Sequence, residues 1–500
     1  MTALPPPPRF PSEAVRDTIH ALLADAGFAE PALVRAFGAN VMNLPRYRGS
    51  FELARRAAGR TPQDLLVRLF IGGLPASRDE VFDWFGMSAF DALRAAGLLA
   101  DDGTVCMAIA GLTPMDEKVF AHDRRDAHRA GAADFVVGPG PATLRFAELA
   151  IRRSVASSLD LGCGQGVLGI LAAASSGRAT SVDLNRRAVA FCAFNAELNG
   201  IDNLTCSQGD LFAPVSGQRF ERILSNPPYV ISPASTFLYR DGGGGICERI
   251  VRAAPAHLAA GGTLQMICNW PHFRGRDWQS DLARWFEGSG CDAWVLTADR
   301  LDAVTYAGIW LRQQHDDEDA LGLEFEQWMA FYERQGIEAV GGGLVLMRKT
   351  AGRVPWFEVR TMPPAFGPCG ESIARTLDAR DFLARVPHDA ALLDARLRLS
   401  PDAVATATQR ATGNGWETSA SELRLSRGLA FAARVDPVGA ELAGYLDGER
   451  TVREAAAAFA AANAIPVEPL LPQLPQLIRQ LAKLGLLLPA VPPDQAVRGD

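Results

Sequence analysis

The chain has 500 residues, 48% of them hydrophobic and 21% charged, and its formal net charge is -7 at pH 7. This composition is typical of a globular protein, and the length predicts roughly two to four domains that can each bury a core. The acidic balance argues against wholesale wrapping of nucleic acid, because such wrapping requires many Lys and Arg side chains to replace counterions.

The cysteines and the N-terminus indicate in which cellular compartment the protein is expected. No two of the 8 cysteines form a Cys-x-x-Cys pair, and none stands near a His pair at zinc spacing. Several lie in apolar runs, as buried free thiols do, so we expect no metal site and a reducing, cytoplasmic setting. The N-terminus has no apolar signal region, and no stretch of about 18 apolar residues occurs, so we expect no membrane association.

The N-terminal part of the chain reads as helical. Residues 1–11 are a proline-rich lead that is predicted to be disordered. Residues 12–128 follow with apolar residues at three- and four-residue spacing. A helix over 88–96 and a short strand over 104–109 close this region. Helices followed by a small hairpin predict a winged-helix-like domain, which would serve in packing, protein contact or nucleic-acid contact.

Residues 129–350 change character, because short apolar runs bounded by Gly, Asp and Asn alternate with amphipathic segments. The apolar runs predict strands over 155–161, 179–182, 204–207, 222–224, 263–268, 293–296 and 344–347. Helices are predicted over 167–174, 186–199 and 247–260. This alternation predicts an α/β fold with a Rossmann-like, seven-stranded parallel sheet covered on both faces. The long insertion before the last strand would form a substrate wall or a surface flap.

Residues 351–490 are predicted to form a mixed α+β region. A helix over 470–481 ends before Gly485, which suits a helix C-cap, and a short strand follows over 486–488. This run resembles small PqqD-like winged-helix modules, some of which bind leader peptides. Residues 491–500 are predicted to be a disordered tail.

A glycine-rich loop stands between the first strand and the first helix of the α/β region. Gly162, Gly164 and Gly166 allow sharp turns and a close approach to a ligand, and the helix start offers free N–H groups. A dinucleotide loop would need glycine at Val167. Asp160 precedes the loop and can accept hydrogen bonds from a cationic amino group, which S-adenosyl-L-methionine carries and a pyrophosphate does not. We therefore predict S-adenosyl-L-methionine as the cofactor, bound at these glycines and Asp160.

Acidic residues also follow the second and third strands. Asp183 stands at the end of the second strand, where a carboxylate can bind both ribose hydroxyls. Asp210 follows the third strand and can accept from the adenine amino group, while Leu211 and Phe212 offer an apolar wall. Three such positions at successive strand ends predict one cofactor site rather than three unrelated turns.

The fourth strand ends in the tetrapeptide Asn226-Pro227-Pro228-Tyr229. The Asn226 side-chain carbonyl and the Pro227 backbone carbonyl can accept the two N–H groups of a planar amine or amide, and proline fixes the direction of that carbonyl. Tyr229 offers a face on which the planar group can stack. These residues predict an N-methyltransferase that works by proximity and orientation, with no metal and no side-chain nucleophile.

These motifs together resemble class I methyltransferases of the protein-glutamine type, which include the release-factor glutamine methyltransferases. The shared sequences are DLGCGQGVLG at 160–169, VDLN at 182–185, GDLF at 209–212 and NPPY at 226–229. By position, the resemblance implies that the whole tetrapeptide, including Pro228, binds the acceptor. It also implies that FVVGPGPAT, which ends at Thr143, lines the active site, although it departs from the usual Pro-Arg-Pro-x-Thr-Glu pattern.

A protein or peptide glutamine is the first acceptor hypothesis. The exocyclic amine of a nucleic-acid base and the nitrogen of a small molecule remain alternatives, and a basic face on residues 12–125 would favour the nucleic acid. A non-catalytic scaffold is disfavoured by the intact Asp160, Asp183 and Asn226. No oligomeric state is predicted.

Other polar segments receive structural interpretations. His257 and His272 are predicted to be structural, and the run from Asp316 to Asp319 is predicted to be a solvated loop. The segment Trp270 to Phe273 follows the fifth strand and is a candidate pocket wall. The glycine-rich segment 239–245 is a candidate substrate-side loop.

Overall fold

The computed structural model describes residues 4–38, 50–124, 134–233, 240–241, 245–312, 317–413 and 415–490. The chain forms two compact units, Met1–Ala147 with Ser154–Thr361, and Glu148–Arg153 with Met362–Asp500. No helix within the described ranges is both long enough and apolar enough to cross a membrane.

The first unit begins with helices and short antiparallel strands. The helices are α1 (Glu13–Asp25), α2 (Glu30–Phe37), α3 (Ser50–Arg56), α4 (Pro62–Leu66), the π-helical turn Val67–Ile71, and α5 (Arg78–Ala95). The strands are β1 (Ala76–Ser77), β2 (Leu99–Asp101), β3 (Val105–Ala108), β4 (Ala110–Met115) and β5 (Lys118–Asp123). β1, β3 and β2 form one antiparallel sheet, and β4 pairs with β5. The predicted order of helices followed by a hairpin is present, while the winged-helix identity stays a prediction.

The proline-rich lead is packed where the structure describes it, although we expected disorder there. Pro8 is buried, and the Arg9 backbone N–H donates to Ala96 O at 3.0 Å. The Phe10 ring stacks on Phe194 with a centroid distance of 4.5 Å. Burial of two apolar side chains offsets the entropy of ordering this short segment. The tail at 491–500 lies outside the described residues.

The central sheet of the first unit is built from β6 (Val155–Leu161), β7 (Ser176–Asp183), β8 (Leu204–Gln208), β9 (Phe220–Ser225), β12 (Leu258–Phe273), β13 (Cys291–Asp302), β14 (Ile337–Lys349) and β15 (Phe357–Thr361). Two short strands between them, β10 (Val230–Ile231) and β11 (Arg240–Asp241), pair with each other. The helices are α6 (Pro141–Leu149), α7 (Val167–Ala173), α8 (Arg186–Leu198), the 3-10 turn Ala213–Val215, α9 (Ile246–His257), α10 (Trp278–Ala283), α11 (Ala303–Arg312) and α12 (Glu318–Gln335). Each of the predicted strands lies inside an observed strand, which confirms the α/β fold.

The sheet has eight strands in the order β15-β13-β14-β12-β9-β6-β7-β8, so the predicted number of seven is wrong. The additional strand, β15, runs parallel to β13 and lies past residue 350, the end predicted for this region. None of its residues is fully buried. An edge strand without a buried apolar run leaves little periodic signal in the sequence. β14 runs antiparallel to β12 and β13, so the sheet is mixed rather than parallel.

Two boundaries differ from the prediction because strand pairing extends β12 at both ends. Helix α9 stops at His257 rather than at 260, since Leu258 already pairs with Phe220 of β9. At its other end β12 pairs with β14 as far as Phe273. The segment from Trp270 to Phe273 is therefore part of the sheet rather than a loop after it.

The N-terminal region contacts the central sheet through helix α8. The Asn195 side chain bonds both backbone polar groups of Ala121 at 2.8 and 2.9 Å, and Asn199 bonds both groups of Val119 at 3.0 and 2.8 Å. Two side-chain amides four residues apart thus replace a neighbouring strand along the edge of β5. Asn195 also donates to Gln165 O at 2.8 Å, so the same side chain supports the glycine loop.

The second unit mixes helices with small antiparallel sheets, as the sequence predicts. Its strands are β16 (Ala365–Phe366), β17 (Arg396–Leu399), β18 (Ala403–Thr412), β19 (Gly415–Leu425), β20 (Gly428–Leu429), β21 (Ala432–Val435), β22 (Asp447–Thr451) and β23 (Leu487–Pro489). Its helices are α13 (Gly370–Arg385), α14 (Asp389–Leu393), α15 (Pro437–Ala443), α16 (Val452–Ala462) and α17 (Leu474–Lys483). The sheets have the orders β22-β17-β23, β18-β19-β21 and β16-β20.

Candidate active site

The carboxyl ends of four parallel strands meet at one edge of the central sheet. Leu161 of β6 pairs with both Val182 of β7 and Ser225 of β9, and Val182 pairs with Ser207 of β8. The glycine loop, Asp183, Asp210 and the tetrapeptide follow these strand ends directly. Register therefore brings the sequence-predicted site residues to a single edge, where ligands of such sheets bind.

The glycine loop requires glycine at its alternate positions. Gly162, Gly164 and Gly166 have φ values of 75°, 54° and 93°, a region that other residues rarely adopt. A side chain at Gly166 would place its Cβ 2.6 Å from Cys192 Sγ, whereas a Cβ at Gly164 would meet nothing within 4 Å. The loop is thus packed on its inner side at Gly166 and open at Gly164, as a ligand cradle requires.

Asp183 connects the second strand to this loop. Its Oδ2 accepts from the Gly164 N–H at 2.8 Å, and its Oδ1 accepts from the Asn185 N–H at 2.8 Å. Burial raises the pKa of the Asp183 carboxyl above its usual value, and the hydrogen bonds from these two N–H groups oppose that shift. Each oxygen keeps a second lone pair, so the carboxylate can still accept from a diol.

Asp160 lies beneath the loop rather than on its open side. It is only 1% exposed, and its Oδ2 accepts from the Gly169 N–H at 2.8 Å near the start of helix α7. Within the described residues its Oδ1 is buried without a hydrogen-bond partner. Burial raises the pKa of the carboxyl to about 7. The structure gives Asp160 a part in holding the helix start, and its direct contact with the cofactor stays a prediction.

The raised pKa of Asp160 predicts a pH-dependent stability. The folded chain keeps a proton that the unfolded chain releases, so the free energy of unfolding should fall as pH rises from about 4 to 7, by about 4 kcal/mol. We expect Asp160→Asn to remove this dependence, measured by urea unfolding between pH 4 and 8. The exposed Asp202→Asn is the matched control. A parallel loss of stability with pH in both variants would contradict the assignment.

The third strand end carries Asp210, Leu211 and Phe212. The Asp210 carboxylate is exposed and accepts from Arg249 Nη2 at 2.8 Å. Leu211 has a φ of 47°, and Phe212 is buried and stacks on His257 with a centroid distance of 4.4 Å. His257 therefore packs behind the predicted apolar wall, and contact of Asp210 and Leu211 with adenine stays a prediction.

The tetrapeptide lies against the glycine loop. The Cα of Pro227 is 3.9 Å from the position that a Cβ on Gly162 would occupy. Asn226 Nδ2 donates to Thr143 Oγ1 at 3.4 Å, and Asn226 Oδ1 is buried with no partner among the described residues. The side-chain carbonyl is thus withdrawn from water and available to an acceptor N–H. Thr143 contacts Asn226, while its direct contact with an acceptor stays a prediction.

The insertion between β13 and β14 adds residues that sequence reasoning did not single out. The Trp310 ring meets Tyr229 edge-on at 6.1 Å and Tyr306 at 6.2 Å. Burial raises the pKa of Tyr229 to about 12, so its phenol stays neutral. The Trp and Tyr content of the insertion was the available signal, but it did not say which side chains would reach the tetrapeptide. Part of the insertion therefore forms a wall beside Tyr229.

The remaining candidates lie elsewhere or outside the described residues. Trp270 and His272 are buried and stack on Trp278, and both occupy space left free by Gly341. Burial lowers the pKa of His272, which fits the predicted structural role. Asp317 was predicted to lie in a solvated loop, but its side chain accepts from the Asp319 N–H and caps helix α12. An acidic group at this position stabilises the start of a helix. Asp316 and most of segment 239–245 lie outside the described residues.

The residues at this edge fit S-adenosyl-L-methionine. The Asp183 carboxylate accepts from the loop N–H of Gly164, and a negative charge beside the loop suits a cationic ligand better than a pyrophosphate. The open space at Gly164 leaves room for a ligand against the backbone. Asp183 would hold the ribose, and the glycine loop would hold the amino acid part.

Two family models match the chain. Residues 144–286 match a model described as Methyltransferase small domain, and residues 374–489 match one described as Domain of unknown function (DUF7782). The first covers the glycine loop, Asp183 and the tetrapeptide. The second lies within the mixed α+β region.

Three curated bacterial proteins are similar to part of the chain. It is 33% identical to the ribosomal RNA small subunit methyltransferase C of Chromohalobacter salexigens over 28% of this chain and 38% of that protein. It is 40% identical to the ribosomal protein uL3 glutamine methyltransferase of Bradyrhizobium diazoefficiens over 22% of this chain and 39% of that protein. It is 34% identical to the release factor glutamine methyltransferase of Cereibacter sphaeroides over 25% of this chain and 51% of that protein. The chain thus spans about half or less of the length of these relatives.

Proposed function

We propose that the chain, which matches the methyltransferase small domain model over residues 144–286, is an S-adenosyl-L-methionine-dependent N-methyltransferase acting on a protein or peptide glutamine. One observation carries the proposal. Asn226 Oδ1 is buried and unpaired among the described residues, and the tetrapeptide to which Asn226 belongs contacts the glycine loop through Pro227. A buried acceptor without a donor costs free energy that an acceptor amide N–H would recover.

The residues of this chain would act by orientation. An amide nitrogen is a poor nucleophile because its lone pair is delocalised. Asn226 Oδ1 and Pro227 O would accept hydrogen bonds from its two N–H groups, which favours a pyramidal nitrogen and aims the lone pair. Tyr229 would stack on the amide plane, with Trp310 at its edge. When bound, the cofactor supplies an electrophilic methyl group on a sulfonium, and an in-line arrangement provides most of the rate.

Charge supports a polypeptide acceptor. Residues 303–335 of the insertion carry seven acidic and two basic side chains, a net charge of -5, and Trp310 within this range packs against Tyr229. Asp319, Glu326 and Glu333 are exposed along one face of α12, and Leu323 is exposed between them. An acidic surface with an exposed apolar side chain repels phosphate and suits a basic polypeptide.

A nucleic-acid base amine is the second candidate, favoured by similarity to a protein named for ribosomal RNA. The charge count gives the N-terminal region no net positive charge to support it. Residues 12–125 carry 15 acidic and 13 basic side chains. The second half of α5, after the bend at Gly86, exposes Met87, Ser88, Asp91 and Arg94, which have no net charge. We therefore place the polypeptide first.

A cytoplasmic location is part of the same proposal. The 8 cysteines are all free, and seven of them are buried. Free thiols in apolar surroundings suit a reducing compartment. The substrate would then be an intracellular polypeptide.

The acceptor class is tested by methyl transfer from tritiated cofactor to matched probes. The probes are a glutamine peptide flanked by Lys and Arg, the same peptide flanked by Glu, an Asn-for-Gln version of the basic peptide, and an RNA oligonucleotide. We expect label in the basic glutamine peptide, several-fold less in the acidic one, and a smaller difference at high salt because salt screens exposed charges. Label in the oligonucleotide, or equal label in the Gln and Asn peptides, would contradict the proposal.

A further inference from the structure

Two tyrosines of the insertion form hydrogen bonds with the backbone N–H and C=O of Ile231, which lies just after the tetrapeptide. The Ile231 N–H donates to Tyr306 Oη at 3.3 Å, and Tyr332 Oη donates to Ile231 O at 2.7 Å. Tyr306 belongs to α11 and Tyr332 to α12, so each insertion helix supplies one hydroxyl. The central strands contribute as well, since Asn269 Nδ2 of β12 donates to Tyr306 Oη at 2.7 Å.

These contacts are made in the core of the insertion. Tyr306 is 3% exposed and Tyr332 is 1% exposed, and Val230 and Ile231 pack in the same apolar cluster. A buried hydroxyl or amide that loses its partner is costly, so the arrangement has little freedom to shift. Packing alone would tolerate small displacements of Ile231, whereas two directed hydrogen bonds define its position along the chain.

The position of Ile231 is transmitted to the site through a short, stiff segment. Tyr229 lies two residues before Ile231, and Pro227 and Pro228 have fixed φ angles. Trp310 of α11 packs against Tyr229 from the same helix that carries Tyr306. A displacement at Ile231 would therefore move the Tyr229 ring and the Pro227 carbonyl together.

We propose that Tyr306 and Tyr332 are positioning residues of the acceptor site: by binding both backbone groups of Ile231 they hold Tyr229 and the tetrapeptide in register with the glycine loop. This inference rests on the proposed function. It gives the insertion a role in catalysis that does not depend on direct contact between either tyrosine and the acceptor. The cofactor half of the site, at the glycine loop and Asp183, is anchored by other contacts.

The first test is hydrogen exchange of the full chain. Prolines have no amide hydrogen, so the segment 226–232 contains few exchanging amides and Ile231 can be resolved. In Tyr306→Phe, we expect Ile231 to exchange about tenfold faster, because its hydroxyl partner is removed. In Tyr332→Phe, the Ile231 N–H keeps its partner and should change less.

The second test is kinetic, with blocked glutamine (N-acetylglutamine N-methylamide) as the acceptor probe. We expect each Tyr→Phe variant to lower kcat about tenfold, with the dissociation constant for S-adenosyl-L-methionine within about twofold of the parent. Thr305→Val is the matched control, because it removes the hydrogen bond from the Thr305 hydroxyl to Asp302 at the start of α11 without touching Ile231. Tyr445→Phe controls for loss of a phenol in the second unit.

The outcomes separate this inference from the proposed function. Unchanged Ile231 exchange in Tyr306→Phe, or a kcat loss in Thr305→Val as large as in the tyrosine variants, would overturn the positioning role. A parent chain that transfers methyl groups to no glutamine probe would instead refute the glutamine acceptor, and the exchange of Ile231 would still decide whether the tyrosines hold this segment. A weakened cofactor affinity in both tyrosine variants would also overturn the inference.

Discussion

Replacing Asn226 by Ala is expected to lower kcat/KM for methyl transfer by about 100-fold or more, the scale of losing one directed polar contact to a reacting group. Cofactor affinity should stay within about threefold, since Asn226 bonds Thr143 and not the glycine loop. The loss arises because the buried Oδ1 would no longer accept the acceptor N–H, and the amide nitrogen would remain planar.

The measurement pairs kinetics of tritium transfer with calorimetric titration of the cofactor. Asn203→Ala is the control, because the Asn203 side chain bonds the backbone carbonyls of Ala173 and Ser176, at the opposite end of the sheet from the carboxyl ends of the strands. Thermal unfolding of both variants separates catalysis from stability. If Asn226→Ala lost cofactor binding together with activity, the division between acceptor and cofactor residues proposed above would be wrong.

Replacing Asp183 by Ala is expected to weaken S-adenosyl-L-methionine binding by about 1.5–3 kcal/mol, which corresponds to about 10- to 150-fold in the dissociation constant. Two losses contribute. The charge-assisted hydrogen bonds to the ribose would disappear, and the Gly164 N–H would lose its acceptor, so the loop would be less well ordered.

Calorimetry of the parent, Asp183→Ala and Asp202→Ala tests this expectation. Asp202 is an exposed carboxylate just before β8, and its removal should leave affinity unchanged. Asp183→Asn distinguishes the two losses, because an amide oxygen can still accept from Gly164 while the negative charge is gone. Unchanged affinity in Asp183→Ala would remove this residue from the cofactor site.

The sequence alone predicted that the candidate site residues stand at strand ends. The glycine loop, Asp183 and the tetrapeptide each follow a predicted strand, and the observed register brings those strand ends together. Their position along one edge was predictable because parallel strands connected by helices present their carboxyl ends at the same edge, whatever the details of packing. The α/β fold followed from the same alternation of short apolar runs and helices.

Only the tertiary structure decided how individual side chains are used. Asp160 reads in the sequence as a ligand beside the loop, yet it is buried and bonds Gly169. Exposure depends on which helix covers the strand, and that is not encoded within a few residues. The Thr143 contact to Asn226 joins positions 83 residues apart in the sequence.

The insertion shows most clearly the difference between what local sequence predicts and what long-range packing decides. Its composition indicated helices and aromatic residues, but the hydrogen bonds of Tyr306 and Tyr332 to Ile231 span 75 and 101 residues. Such contacts exist only once α11 and α12 have packed on the sheet. Local periodicity therefore determined the elements and the motif positions, whereas long-range packing decided which polar groups are paired, buried or left available to a ligand.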